Sequence, residues 1–348
     1  MARTRVALIG LGMAVTPHAR SLLDLGERVE VACAYSPSAA RRRSFNAQFP
    51  FPLCDRIETI LDDRGIAAVF ILTPPNTHLD LVRRAARAGK HILLEKPIET
   101  STVRSRELVE TCQAARVRLA VMLQHRFRPG GLELRRMLAA GELGDIVGVA
   151  TSIRLWRPQS YYDQPGRGTR TRDGGGVLLT QGIHTLDLML SLAGPVVEVT
   201  GYAVTTPIHR METEDMVAAA ARFANGAIGV IDATTAAYPG FPERIELVCK
   251  TATAVIAGTA LEVRFHDGRV VRREPDGTGG GTGADPMAFP HDYHRALIDD
   301  FLDAIADDRE PAVSGAEALK VHELIDALLE TSRTGHPVPV LGGRSRGD

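Results

Sequence analysis

Apolar and polar positions follow two different rhythms along this chain. Val6-Ala7-Leu8-Ile9 is an unbroken apolar run ended by Gly10, the mark of a strand buried on both faces. Further strands are predicted at 28–34, 67–72, 91–94 and 119–122. Between them, 17–25, 39–48, 79–88 and 102–115 carry helical periodicity, and Gly89 offers a stop for the third. Strands alternating with helices over about the first 125 residues predict a parallel, doubly wound sheet, the helices supplying its crossovers.

The second half changes pattern. Successive strands are predicted at 146–155, 196–205, 216–224, 227–234, 244–249, 253–256, 262–265 and 269–274. Asn225-Gly226 and Asp267-Gly268 are hairpin signals, so this sheet should be largely antiparallel. Helices are expected at 131–140, 180–192, 293–307 and 315–331. The fold class is therefore α/β with an added α+β domain. The expected division is 1–124, then 125–341, with 277–283 a flexible loop and 342–348 a frayed tail.

Composition narrows the choice of function. The chain has 348 residues, enough for two domains. Lys+Arg 41 against Asp+Glu 42 leaves a formal charge of -1, so no overall basic field invites nucleic acid. No apolar run approaches the ~20 residues that span a bilayer, so no membrane partner is expected. Arg3 and Arg5 do precede the apolar stretch 6–15, but Gly10 and Gly12 interrupt it and no small-residue cleavage site follows, against a signal peptide. The four cysteines (Cys33, Cys54, Cys112, Cys249) are far apart and form no CxxC pair. That argues against a zinc ribbon or a dense disulfide framework and for a reducing cytoplasm.

Gly10-Leu11-Gly12-Met13-Ala14-Val15 opens like a dinucleotide fingerprint, with Val15 at the third glycine position. The first glycine makes a tight turn, the second lets a pyrophosphate approach, and backbone N–H groups of the next helix carry the anion. The second strand ends Tyr35-Ser36-Pro37-Ser38, followed by Arg41-Arg42-Arg43, with no acid to take a ribose 2′-OH. Ser36 and Arg41 suit a 2′-phosphate, which favours NADP over NAD. Leu93-Leu94-Glu95-Lys96-Pro97 sets a charged pair at the C-terminal end of a buried strand, where ligands bind in open α/β sheets.

The glycine pair, Thr73-Pro74-Pro75-Asn76-Thr77-His78, the Glu95-Lys96-Pro97 motif and Gly174-Gly175-Gly176 with Gly182-Ile183-His184-Thr185-Leu186-Asp187 together resemble the Gfo/Idh/MocA oxidoreductase family in order and spacing. The resemblance implies an N-terminal Rossmann domain, then an α+β domain whose open, mostly antiparallel sheet makes a homodimer or homotetramer. It implies nicotinamide-dependent oxidation of sugars, cyclitols or related alcohols. Lys96 matches the lysine that contacts substrate and assists proton transfer, with a Lys-Pro bond often cis in relatives. His184 matches the family's histidine acid or base. Thr73, Pro74, Asn76, His78, Glu95 and Gln124 correspond to cofactor positions, and Arg126 to the cleft. Where many relatives carry aspartate four residues before the histidine, this chain has Thr180, which cannot serve as a carboxylate base. The Thr180-Gln181 pair is closest to the subgroup acting on UDP-linked amino-sugar acids.

The segment 154–172 holds the only tryptophan, Trp156, with Tyr161, Tyr162 and five arginines including Arg170. Guanidinium forks take carboxylate or phosphate and aromatic faces stack on rings, so an anionic small-molecule substrate is expected to meet Trp156, Tyr161 and Arg170, alongside Lys96, Arg126, Thr180 and His184. His291 and His294 invite a metal reading, but no third ligand is evident and none is expected. Two other functions remain open from the sequence: a glycoside hydrolase working through transient oxidation with tightly held NAD, and a non-catalytic nucleotide or sugar sensor.

Overall fold

The computed structural model describes residues 3–275 and 290–341. The loop expected at 277–283 and the tail expected at 342–348 lie outside them. Chain contacts divide the molecule into two units, 1–124 with 291–319 and 125–290 with 320–348.

In the first unit, β1 (Thr4–Ile9), β2 (Val29–Tyr35), β3 (Leu53–Cys54), β4 (Ala68–Ile71), β5 (His91–Leu94) and β6 (Leu119–Val121) form one sheet in the order β3-β2-β1-β4-β5-β6. Every pairing is parallel. The apolar runs read from the sequence are the fully buried strands β4 and β6 and the buried ends of β1 and β5. The crossovers carry α1 (Val15–Asp24), α2 (Ala39–Asn46), α3 (Glu58–Leu61), α4 (His78–Arg87) and α5 (Thr102–Ala114). In α4, Leu79, Val82 and Ala86 form the buried stripe that the 3.6-residue period requires. Ser38 and Ser101 cap α2 and α5, their hydroxyls accepting the N–H of Arg41 and Arg104.

The second unit opens with α6 (Pro129–Ala139), β7 (Ile146–Arg154), the short α7 (Gln159–Tyr162) and α8 (Ile183–Ala193). There follow β8 (Val196–Val204), β9 (Met216–Phe223), β10 (Ile228–Thr234), β11 (Arg244–Cys249), β12 (Ala252–Ala257), β13 (Ala260–Phe265) and β14 (Val270–Arg273). With β15 (Val338–Pro339) they make a nine-stranded sheet ordered β14-β13-β12-β11-β7-β10-β9-β8-β15. Only β7 and β10 run parallel. Both predicted hairpins are present, β9–β10 around Asn225-Gly226 and β13–β14 around Asp267-Gly268. One sheet face is covered by α6 and α8. Along β9, buried Val217, Ala219, Ala221 and Phe223 alternate with outward Met216, Ala218, Ala220 and Arg222.

Two features depart from the sequence reading. The segment 291–319, expected with the second domain, packs in the first unit. Its helix α9 (Asp292–Ala306) lies on α1, Phe301 meets Phe70 edge-on at 6.2 Å, and Val313 accepts the N–H of Val121. Amphipathic spacing predicts that α9 is a helix but not which surface its stripe covers. The long helix α10 (Gly315–Thr334) starts in this unit. The second departure is a Cys33–Cys54 disulfide between β2 and β3, with Cα atoms 6.1 Å apart. It exists because two-residue β3 pairs with the end of β2, Tyr35 opposite Cys54, a pairing too short to read from the sequence. The dispersed cysteines therefore no longer argue for a reducing compartment. Cys112 and Cys249 are free and buried, their thiols pushed up to about 12 and about 11 by desolvation.

Candidate active site

In the first unit all six strands run parallel, so the segments after β1, β4 and β5 emerge at one sheet edge. The glycine loop follows β1. Gly10 takes φ +107°, and a Cβ there would stand 2.9 Å from the Leu72 backbone, so only glycine fits. A Cβ on Gly12, by contrast, would meet nothing within 4 Å. Internal packing does not demand that glycine, and the space in front of it suits a phosphate. The next helix, α1, begins after Ala14 with no side-chain cap and no acid in its first turn. The Val15 N–H bonds the Gly12 carbonyl at 3.2 Å and Pro17 has none, so this helix start offers an anion chiefly the positive end of its dipole. Met13 is exposed beside it. These features fit the pyrophosphate of a dinucleotide.

At the end of β2, Ser36 is buried and its carbonyl accepts from Arg42 at 2.6 Å. Arg41 and Arg43 are exposed on α2, and no acid stands at the strand end. After β4, Thr73 is half-buried while Pro74 and Asn76 are exposed. His78, expected at the cofactor, is fully buried. Its Nδ1 lies 3.0 Å from the Ile98 carbonyl and its Nε2 2.8 Å from that of Thr73. It therefore braces two loops instead of facing a ligand, and burial lowers its pKa. Gln124 closes the unit's first segment, its Oε1 buried with no hydrogen-bond partner among the described residues.

Glu95 and Lys96 follow β5, and the Lys96–Pro97 bond is cis. Lys96 is half-buried and Glu95 is 8 % exposed. Glu95 Oε1 lies 2.7 Å from His18 Nε2, and Oε2 accepts the Lys96 N–H at 3.0 Å. Burial works to raise the Glu95 pKa, but the His18 hydrogen bond and the nearby Lys96 charge outweigh it and hold the carboxyl below its usual range. His18 stands one turn along α1 from the glycine loop, and its role was not read from the sequence. A histidine eight residues after Gly10 is the one signal that points to it.

In the second unit, His184 is the second residue of α8, immediately after the π-helical turn Leu178–Gly182. That turn is held from outside by Glu214, whose carboxylate accepts the N–H of Gly176 at 3.1 Å and of Leu178 at 3.2 Å. Desolvation raises the Glu214 pKa against those bonds. A Cβ on Gly176 would sit 1.8 Å from the Glu214 carbonyl oxygen, which explains the last glycine of the run. Sequence reasoning missed Glu214, which lies 38 residues from Gly176. Thr180 donates to the Gly176 carbonyl at 2.7 Å and also bonds Gln181, whose Nε2 is 3.5 Å from the Tyr161 hydroxyl. The His184 ring lies 4.8 Å from that of His125.

The Tyr161 ring is flanked by two guanidinium groups, Arg167 at 4.8 Å and Arg157 at 5.9 Å. Arg167 Nε is buried with no hydrogen-bond partner among the described residues. Arg157 is buried, donates to the Trp156 carbonyl, and has its pKa lowered by desolvation. Trp156 stands edge-on to Tyr238 at 5.5 Å, whereas Arg170 is exposed, its backbone N–H donating to Glu212. Arg126, expected at the substrate, is instead locked in a buried bidentate pair with Asp187, at 2.8 and 2.6 Å. Two N–H groups spent on a buried carboxylate leave that fork a structural tie between the start of this unit and α8.

Residues 4–123 match the model of the oxidoreductase family with an NAD-binding Rossmann fold, and 132–255 match the GFO/IDH/MocA C-terminal domain. The chain is 29% identical to inositol 2-dehydrogenase of Rhizobium meliloti over 339 residues, 94% of this chain and 96% of that one. It is 25% identical to scyllo-inositol 2-dehydrogenase (NAD(+)) of Bacillus subtilis, covering 97% and 96%. The structure of the WlbA dehydrogenase from Bordetella pertussis, solved with NADH and UDP-GlcNAcA, superposes with a TM-score of 0.81 at 27% identity, covering 97% of this chain and 99% of that one. With a matching dinucleotide-binding unit, a matching C-terminal domain and full-length relatives that are dehydrogenases, this chain belongs to the GFO/IDH/MocA family of oxidoreductases.

Proposed function

We propose that this oxidoreductase moves a hydride between NADP or NAD and a secondary alcohol of a sugar-like or cyclic polyol that carries an anionic group, with Lys96 and His184 handling the proton. The observation that carries the reading is the shared sheet edge. There, an open glycine loop, an uncapped helix start and a lysine at a strand mouth stand together in one parallel sheet. Inositol dehydrogenases among the relatives, and the sugar acid named in the WlbA structure, support a polyol or sugar substrate.

Gly10, Gly12, Met13 and Ala14 would hold the pyrophosphate, Ser36 and Arg41 the adenosine ribose, and Thr73, Pro74, Asn76 and Gln124 the nicotinamide half. The nicotinamide supplies the hydride acceptor. The chain's own work is proton transfer: an imidazole suits removal of the hydroxyl proton near pH 7, and an ammonium beside the oxygen stabilises the developing alkoxide. Thr180 would hydrogen-bond a substrate hydroxyl in place of the aspartate found in many relatives. Exposed Arg41 and the missing acid after β2 support NADP. For the anionic group, the pair Arg157 and Arg167 around Tyr161 is better built than exposed Arg170, with Trp156 beside it.

A substrate panel followed by nicotinamide absorbance, with each coenzyme, tests the reading. Lys96→Ala should lower turnover at least ~100-fold while leaving coenzyme affinity within about threefold. A mild loss would remove Lys96 from the chemistry. Arg167→Ala should raise KM for an acidic substrate roughly tenfold or more and leave neutral analogues unchanged, and equal effects on both would defeat the anion assignment. Free reduced coenzyme accumulating with an alcohol would also separate a dehydrogenase from a hydrolase holding NAD tightly, and from a sensor without turnover.

A further inference from the structure

We infer that His18 is a positioning residue: from α1 it holds the Glu95 carboxylate against the Lys96 backbone, and so fixes the charge that the Lys96 ammonium experiences. The inference deepens the proposed function and rests on it for the role of Lys96.

A carboxylate this deeply buried costs several kcal/mol unless both oxygens are satisfied. His18 and the Lys96 N–H satisfy one each, at 2.7 and 3.0 Å. His18 is itself fully buried, and its Nδ1 has no hydrogen-bond partner among the described residues. A neutral ring carrying its proton on Nε2 meets both facts, since it donates to Glu95 and leaves no N–H unpaired. His294 on α9 closes the other side, its ring edge-on to His18 at 5.2 Å and 85°. Burial, chiefly, drives the His294 pKa down to about 3, so it stays neutral. The groups facing Glu95 are therefore His18 from α1, His294 from α9, Lys96, and at longer range buried His78 from α4. Lys96 is the one permanent cation among them.

The direction of the effect follows. With His18 in place, Glu95 is an anion and raises the Lys96 pKa. Without that donor, the buried carboxyl takes up a proton, the anion is lost, and the lysine pKa falls. Because α1 also starts at the glycine loop, one helix joins the dinucleotide site to the lysine.

The chain contains only four lysines, Lys90, Lys96, Lys250 and Lys320, so isotope-labelled dimethyl-lysine spectra of the full protein can follow the Lys96 midpoint directly. His18→Leu and Glu95→Gln should each lower that midpoint by about one pH unit, while His18→Gln, which can still donate to Glu95, should hold it near the native value. Unmoved midpoints in the folded His18→Leu and Glu95→Gln proteins would overturn the inference. So would stoichiometric zinc bound by the native protein and lost in His294→Gln, because the three clustered side chains, whose donor atoms lie within 4.8 Å of one another, would then serve a metal. This measurement needs no substrate. Failure of the dehydrogenase reading would appear as absent turnover with the lysine titration intact, and failure of the clamp as turnover with unchanged midpoints.

Discussion

Arginine is the residue whose meaning the structure changes most. Arg126 and Arg167 look alike in the sequence, both in basic stretches near aromatic residues. In the fold, Arg126 is spent on buried Asp187, whereas Arg167 lies over Tyr161 with a buried Nε that has no hydrogen-bond partner among the described residues. Arg126→Ala would remove the bidentate partner of a buried carboxylate, and should cost about 3–5 kcal/mol in urea unfolding. Adding Asp187→Leu should recover much of that loss. A single-mutant loss under 1 kcal/mol would mean the pair contributes little. Such distinctions are invisible along the chain because burial and pairing are set by residues far away, 61 positions in this case. The same holds for His18, one histidine among 11 until the fold surrounded it, and for His78, which the resemblance set at the cofactor and the fold makes a brace between two loops.

At the scale of elements, periodicity carried most of the architecture. Every principal strand and helix read from the apolar pattern is present within a few residues, because each begins or continues a run of one rhythm. The elements it missed are short: β3, α3, α7 and β15 have two to four residues each. Two-residue β3 has a consequence out of proportion to its length, since it brings Cys54 to Cys33. The disulfide closes a loop containing Ser36, Ser38 and all of α2, the segment proposed to hold the adenosine ribose. For this separation of 21 residues the constraint on the unfolded chain amounts to roughly 3 kcal/mol. Cys54→Ser should lose about that much stability, and the native protein should lose it on adding dithiothreitol. Equal unfolding midpoints with and without reductant would show that the bond contributes nothing. The π-helical turn before His184 also escaped the sequence reading, which ran one helix over 180–192. Glu214, arriving from a distant loop, takes the N–H groups that a regular helix start would offer elsewhere.

For the molecule as a whole, the outward face of the second sheet is the feature with the clearest consequence. Tyr202, Val204, Met216, Ile228 and Val230 stand exposed on adjacent strands, with Ile228 68% and Tyr202 75% open to solvent. An exposed apolar face of this kind is where the homodimer or homotetramer expected from the family resemblance would form. The homodimer or homotetramer proposed through this sheet predicts that Ile228→Glu with Tyr202→Glu shifts light-scattering mass to the monomer without unfolding it. A native protein that is already monomeric would refute the proposal. By itself, the sequence determined the parallel and antiparallel halves, the glycine turn after β1 and the strand-mouth lysine. Those depend on local rhythm, backbone sterics and a few adjacent residues, all written within ten positions. Only the tertiary structure decided that α9 returns to the first unit, that Arg126 is a tie and Arg167 a candidate for the substrate, and that His18 and His294 enclose Glu95. Such contacts join segments separated by tens to hundreds of residues, and their energies depend on burial, which exists only once the chain has closed on itself.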